Sequence, residues 1–224
     1  MNHWEREYQN PQFLTLGTEP LSDIRHFMKW LRRKQKIDTT DFVVLDNGCG
    51  NGKNIKYILE QFAHSGFGYD ISETAIIAAR ELSKGLPIHY SVQSFIDPIP
   101  VADTSIDLAI DSTASHVLPE LERKKYISEL VRKLKPGGYL FLRTLCLEGD
   151  QNAKKLIQQF PGKSNQSYIL PGTGIEETAF TWQDILDVYE KDFEILFHEK
   201  TSGYQKWGNQ SYKRNYWTVY LRKK

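Results

Sequence analysis

The sequence predicts an α/β domain built on a largely parallel sheet. Three observations carry this. An apolar run, Phe42 to Leu45, reads as a buried strand and leads into Asp46-Asn47-Gly48-Cys49-Gly50-Asn51-Gly52, with glycine at alternate positions. Behind the glycines, Ile55, Ile58, Leu59 and Phe62 fall on one helical face. From there to residue 145, strand-like and helix-like stretches alternate, the pattern of parallel strands joined by crossover helices. A strand, a glycine loop and a helix open a nucleotide-binding unit. The glycines let a ligand lie against bare main chain, and the helix end directs unpaired N–H groups at it.

Each element has its own signal. Residues 1–20 are polar with scattered aromatics, Trp4, Tyr8 and Phe13, and read either as an arm packed over the domain or as a lid. Residues 21–36 form a helix with Ile24, Phe27, Met28 and Leu31 on one face. Its basic end, Arg32 to Lys36, reads as a solvated face complementing the helix dipole, with a nucleic-acid patch as the other reading. Gly66 to Asp70 is a second strand ending in a carboxylate, and Ser72 caps a helix from Glu73 to about Lys84. Pro87–Val92 and Ile106–Ile110 are the third and fourth strands. Pro119 opens a helix that Pro136-Gly137-Gly138 stops, and Tyr139–Leu145 is the fifth strand. Beyond it lie a short helix around Ala153–Phe160, an irregular stretch 161–180 and a helix begun by Thr181 and Asp184. Strands at Phe193–Phe197 and Tyr216–Leu221 close the chain, and residues 201–215 between them read as a long loop of the functional kind. The expected organisation is an N-terminal arm and helix over 1–40 and one domain over 41–224.

Composition bounds the function. The chain has 224 residues, 40% of them hydrophobic, which suits one sizeable domain. A net charge of +1 argues against bulk electrostatic binding to nucleic acid. Cys49 and Cys146 are the only cysteines, too few for a disulfide framework, and the six histidines show no ligand spacing, so no metal is expected. No signal peptide or membrane-length apolar run is visible, so a cytoplasmic protein is expected.

The glycine spacing narrows the ligand. Lys53 stands where the dinucleotide fingerprint has its third glycine, which counts against NAD and FAD. There is no Gly-Lys-Ser/Thr, so this is not a phosphate-cradling loop of the Walker type. Asp70 ends the second strand, where a carboxylate accepts ribose hydroxyls.

Four blocks, Val44 to Gly52, Gly68 to Ser72, Ile99 to Ala109 and Leu134 to Leu140, stand in an order that resembles class I S-adenosylmethionine-dependent methyltransferases. The resemblance covers about residues 42–145. It implies a Rossmann-like three-layer sandwich with a mostly parallel seven-stranded sheet, whose last two strands form the family's reversed C-terminal hairpin. It implies S-adenosylmethionine as cofactor, with the backbone at Gly48, Cys49 and Gly50 near its methionine portion, Gly52 also among the cofactor-binding residues, and Asp46 near its ammonium. Asp70 would hold the ribose, Ile71 would press on the adenine, and Gln93, Ser94 and Phe95 would meet its edge. Asp111 and Ser112 would lie just past the fourth strand. There are two departures: Asn47 replaces a common apolar residue, and Gln93-Ser94-Phe95 replaces a common acidic one.

Methyl transfer from a sulfonium is a direct displacement in which alignment does most of the work. A base is needed only if the acceptor must lose a proton, and His116 is the candidate, read against a packing histidine. Tyr8 and Arg143 are candidate substrate contacts, Arg143 for an acidic substrate. Residues 1–20, 146–180 and 201–215 are expected to wall the acceptor pocket. A small-molecule acceptor is favoured. The lack of an Asn-Pro-Pro-Tyr type tetrapeptide after the fourth strand argues against exocyclic amino methylation. An RNA or protein methyltransferase using the basic, aromatic stretch Tyr204–Arg214 is one alternative, and a non-catalytic cofactor-binding module is another. The sequence leaves the oligomeric state open.

Overall fold

The apolar run before the glycines becomes β1 (Val43–Asn47), an interior strand of a seven-stranded sheet. In the computed structural model all residues are described except Met1, Phe13, Thr15, Phe95, Gly208 and Asn209; Lys206, Trp207 and Gln210 are described by backbone alone. Parallel strands β2 (Ser65–Asp70) and β3 (Ile88–Val92) extend the sheet on one side. On the other side are parallel β4 (Ile106–Ser112) and β5 (Leu134–Leu145). Two long antiparallel strands finish it, β8 (Phe193–Trp207) and β9 (Gln210–Lys223), in the order β3-β2-β1-β4-β5-β9-β8. The order reverses beside β1, so ligands are expected beyond the carboxyl ends of β1, β2 and β4.

Neighbouring strand residues face opposite layers, and the sequence is apolar at both. Val44, Leu108, Ile110 and Phe141 meet α2 (Ser22–Arg33), α3 (Lys53–Gln61) and α4 (Glu73–Leu82) through Phe27, Met28, Ile55, Ile58 and Ile76. Leu45, Ala109, Leu140 and Leu142 meet α5 (Glu120–Lys133) and α7 (Trp182–Tyr189) through Tyr126, Ile127, Leu130, Ile185 and Tyr189. The result is a three-layer sandwich. A short helix, α1 (His3–Gln9), lies outside these layers against α4.

Three expectations change. Pro136-Gly137-Gly138 does not separate helix from strand: α5 already ends at Lys133, and these residues lie within β5, beside a register shift against β4. Residues 161–180 are not wholly irregular, since β6 (Ser167–Ile169) and β7 (Glu176–Thr178) pair there after α6 (Gln151–Gln159). Residues 201–215 are not a loop. They are the far half of the β8–β9 hairpin, paired out to Trp207 and Gln210. This half runs past the end of β5, where Asn152 of α6 donates to the Lys213 carbonyl at 2.8 Å. Its buried face carries Arg214 instead of an apolar residue, so the strand lacks the usual alternation.

Candidate functional site

The turn after β1 is built by glycine. Gly48, Gly50 and Gly52 all have positive φ (69°, 57° and 75°), a region that side-chained residues rarely adopt. A Cβ on Gly50 would also collide with the Tyr8 hydroxyl. The loop is clamped to β2. The Gly48 and Cys49 N–H groups donate to the Tyr69 carbonyl at 2.8 and 2.9 Å. The Asp70 carboxylate accepts from the Gly50 N–H and the Ser72 N–H, each at 2.9 Å. Asp70 is therefore partly a clamp between the glycine loop and the start of α4.

Three buried carboxylates gather around this turn, Asp46, Asp70 and Asp111. Burial, then the charges of Asp70 and Asp111, push Asp46 up to about 8. Its Oδ2 is buried with no hydrogen-bond partner. Burial also raises Asp70 and Asp111 above the ordinary carboxylate range, against the hydrogen bonds that each receives. Among the described residues no lysine or arginine forms an ion pair with Asp46 or Asp70. Such a cluster favours a positively charged ligand. Behind it the Tyr126 hydroxyl lies beside Asn47 and Asp111, so the unusual Asn47 belongs to a buried polar cluster.

A cavity of about 280 Å³ opens above the loop. Of the residues expected at the site, it brings together Gly48, Cys49, Gly50, Asp70, Ile71, Ser94 and Ser112, with Tyr8 and Arg143. Others stand back from it. Asp46 lies beneath the loop, and Gly52 caps α3 against Tyr90. The Gln93 side chain donates to the Pro98 carbonyl at 3.0 Å, and Asp111 accepts from the Ser115 N–H at 3.1 Å. Phe95 lies outside the described residues.

His116 does not line the cavity. It sits in a 3₁₀ turn, Ser115–Val117, and its Nε2 lies 3.6 Å from Glu177 of β7, both side chains buried. Glu177 in turn accepts from Tyr168 at 2.5 Å. Burial would raise Glu177, but His116, Arg214 and Tyr168 outweigh it and hold its carboxyl below the ordinary value. In this arrangement His116 packs against a buried carboxylate and does not face the cavity.

The N-terminal arm closes the cavity, with Trp4, Tyr8, Leu14 and Leu16 in its wall. Glu5 anchors the arm by accepting from the hydroxyls of Ser72 (2.6 Å) and Thr74 (2.5 Å) at the start of α4. These bonds hold its carboxyl down to about 2. Burial, then the carboxylates of Asp70 and Asp46 with Cys49 between them, push the Tyr8 hydroxyl well above its ordinary value. Residues 146–180 and 201–215 are expected to wall the same pocket, but among the described residues none of them lines it. They line a separate cavity of about 320 Å³ with Leu156, Phe160, Tyr212 and Arg214. Sequence reasoning missed Asn51, Lys53, Thr113, Ala114, Val117 and Leu118. Asn51 and Lys53 stand within the glycine motif itself, and the others directly follow β4, so position alone could have found them.

A family model described as a methyltransferase domain matches residues 44–138, the stretch that builds this loop and carboxylate cluster. A solved S-adenosylmethionine-dependent methyltransferase from Methanosarcina mazei superposes with a TM-score of 0.71 at 25% identity, covering 91% of this chain and 98% of that one. Over residues 44–138 the chain carries a methyltransferase domain, and in sequence and fold it resembles the class I S-adenosylmethionine-dependent methyltransferases. A tRNA U34 carboxymethyltransferase of Idiomarina loihiensis is 24% identical over 78% of this chain and 53% of its own length. A phthiotriol/phenolphthiotriol dimycocerosates methyltransferase of Mycobacterium tuberculosis is 27% identical over 61% and 50%. The chain thus spans about half the length of these curated relatives. The residues present fit the family's cofactor. S-adenosylmethionine carries an ammonium and a sulfonium, and the site offers buried carboxyl groups, Asp46 and Asp70, that pair with no lysine or arginine among the described residues, beside a bare glycine turn.

Proposed function

We propose that the chain transfers a methyl group from S-adenosylmethionine to a small-molecule acceptor held in the arm-covered cavity. One observation carries the reading: the cavity joins the glycine turn and Asp70 to a wall of Ser112, Thr113, Val117 and Leu118 under an aromatic arm. The cofactor supplies an already activated methyl. Asp70 receives the ribose, Ile71 and Ser94 flank the adenine, and the glycine turn lets the methionine portion approach main chain. Asp46 draws the ammonium through the field beneath the turn. Enclosure by Trp4, Leu14 and Leu16 excludes water and favours one alignment of acceptor and methyl. With His116 turned toward Glu177, the reading assigns it a positioning role and leaves an acceptor that needs no protein base.

The relatives' names include both a tRNA and a dimycocerosate acceptor, so they support either acceptor class. Against RNA stands Arg214. It was counted in the basic stretch, yet it is buried and paired with Asp150 at 3.0 Å, which removes it from any nucleic-acid surface. Calorimetry with S-adenosylmethionine, its demethylated product and NAD tests the cofactor. NAD binding without the other two would sink the reading. Methyl-labelled extract fractions test the acceptor: label in the small-molecule fraction is expected, and label in RNA or protein would replace it.

A further inference from the structure

We propose that the β5 side of this cavity is a carboxylate subsite, formed by Lys53 and Arg143, which selects an acceptor with an apolar body and one negatively charged end. The inference rests on the methyltransferase reading above and names the substrate class for that site.

Arg143 lies on β5 opposite Ser112 of β4. Its guanidinium stacks on the Tyr216 ring, 3.6 Å from the centroid, and its Nε donates to Asp23 at 3.0 Å. Stack and ion pair fix the plane of the group. Neither Nη has a hydrogen-bond acceptor among the described residues. A fixed planar fork with free N–H groups suits a carboxylate. Lys53, the first residue of α3, is half-buried in the same cavity wall, and its ammonium has no partner among the described residues. Burial, and after it the like charge of Arg143, lower its pKa.

Among the described residues a carboxylate pairs with Arg143 but none with Lys53, and that carboxylate, Asp23, also accepts from the Thr218 hydroxyl at 3.2 Å. An unpaired half-buried cation beside a second one is costly unless an anion joins them. Of the two, the cation left without an ion-pair partner is Lys53, which matches a monoanion. Its position points to the acceptor. Asp70 ends β2 and Arg143 lies on β5, and the order β2-β1-β4-β5 separates them by three strand spacings, about 14 Å. The same cavity wall carries apolar residues, Leu16, Leu21, Val117 and Leu118 among them.

The test is calorimetry on protein saturated with S-adenosylhomocysteine, titrated with phenylacetate and 3-phenylpropionate and with the matching amides. The acids should bind about tenfold or more tightly than the amides, the discrimination expected of hydrogen bonds to a charged group. Lys53→Met, which removes no side-chain hydrogen bond or ion pair among the described residues, should weaken the acids about tenfold, and Lys53→Arg should restore most of that affinity. Both variants should hold S-adenosylhomocysteine within about twofold of the parent. Equal binding of acid and amide, or no acid binding to protein that holds S-adenosylhomocysteine, would overturn the subsite. If Lys53→Met instead weakens S-adenosylhomocysteine about tenfold, the cation serves the cofactor's own carboxylate and the proposal falls. Absence of S-adenosylhomocysteine binding in the parent would defeat the underlying methyltransferase reading.

Discussion

Asp46 lies beneath the glycine turn with a carboxyl raised to about 8 by burial and by Asp70 and Asp111. An acid raised on folding stabilises the native state only while it stays protonated. The folded protein keeps a proton that the unfolded chain releases above about pH 4. Stability of the ligand-free protein should be full below that value, fall as pH rises, and be lost past about 8. Thermal melts across this range should show the slope, and Asp46→Asn should flatten it. A cationic ligand reverses the preference, so S-adenosylmethionine binding near neutral pH should release up to about one proton. Calorimetry in buffers of different ionisation enthalpy reads that number directly. Asp70 makes a second case. Its sequence position suggested that ligand hydroxyls were its main partners, whereas it also accepts from the Gly50 and Ser72 N–H groups. Asp70→Ala should therefore cost about 1–3 kcal/mol of folding stability as well as cofactor affinity, measured by urea unfolding and calorimetry. Glycine spacing and strand-end carboxylates were legible because backbone conformation demands those residue types at fixed offsets. The clamp was not, because it depends on where β1 and β2 lie side by side.

Among the elements, α1 and the β8–β9 hairpin were the ones least visible in the sequence. Helix α1 is polar and has few core contacts; its placement comes from Glu5 at the start of α4 and from Asn2, which donates to the Ile71 carbonyl at 3.2 Å. Such contacts leave no periodicity to read. Glu5→Ala should release the arm while the sheet stays folded. Hydrogen exchange should then rise in residues 3–9, and S-adenosylhomocysteine should dissociate faster. Unchanged exchange there would show that the arm is held by other contacts. The outer half of the hairpin was hidden because it is packed by charge. Arg214 bonds Asp150 (3.0 Å), Gln205 (2.8 Å) and Tyr168 (2.6 Å), and Asp150 also caps α6 through the Ala153 N–H at 2.7 Å. Removing one partner of a buried pair costs about 3–5 kcal/mol because it strands the other charge. Asp150→Ala should fall in that range by denaturant unfolding, far above the effect of removing the exposed Glu120–Lys124 pair.

For the whole molecule, the strand order and the two apolar layers follow from an alternation that the sequence displays openly from residue 42 to 145. What it could not display was which peripheral segments reach the site. Three segments were expected around one pocket, and among the described residues the structure divides them: the arm lines the cofactor-side cavity, while residues of 146–180 and 201–215 line another. Among the described residues, no helix is long and apolar enough to cross a membrane. The arm has a kinetic consequence. With the Tyr8 hydroxyl resting over Gly50, cofactor entry is expected to wait for α1 to lift. In a stopped-flow experiment the observed rate of S-adenosylhomocysteine association should then climb with concentration and level off at the rate of lifting. Trimming Tyr8 to alanine should raise that plateau. A rate that grows linearly without limit in the parent would mean the turn is already open to traffic.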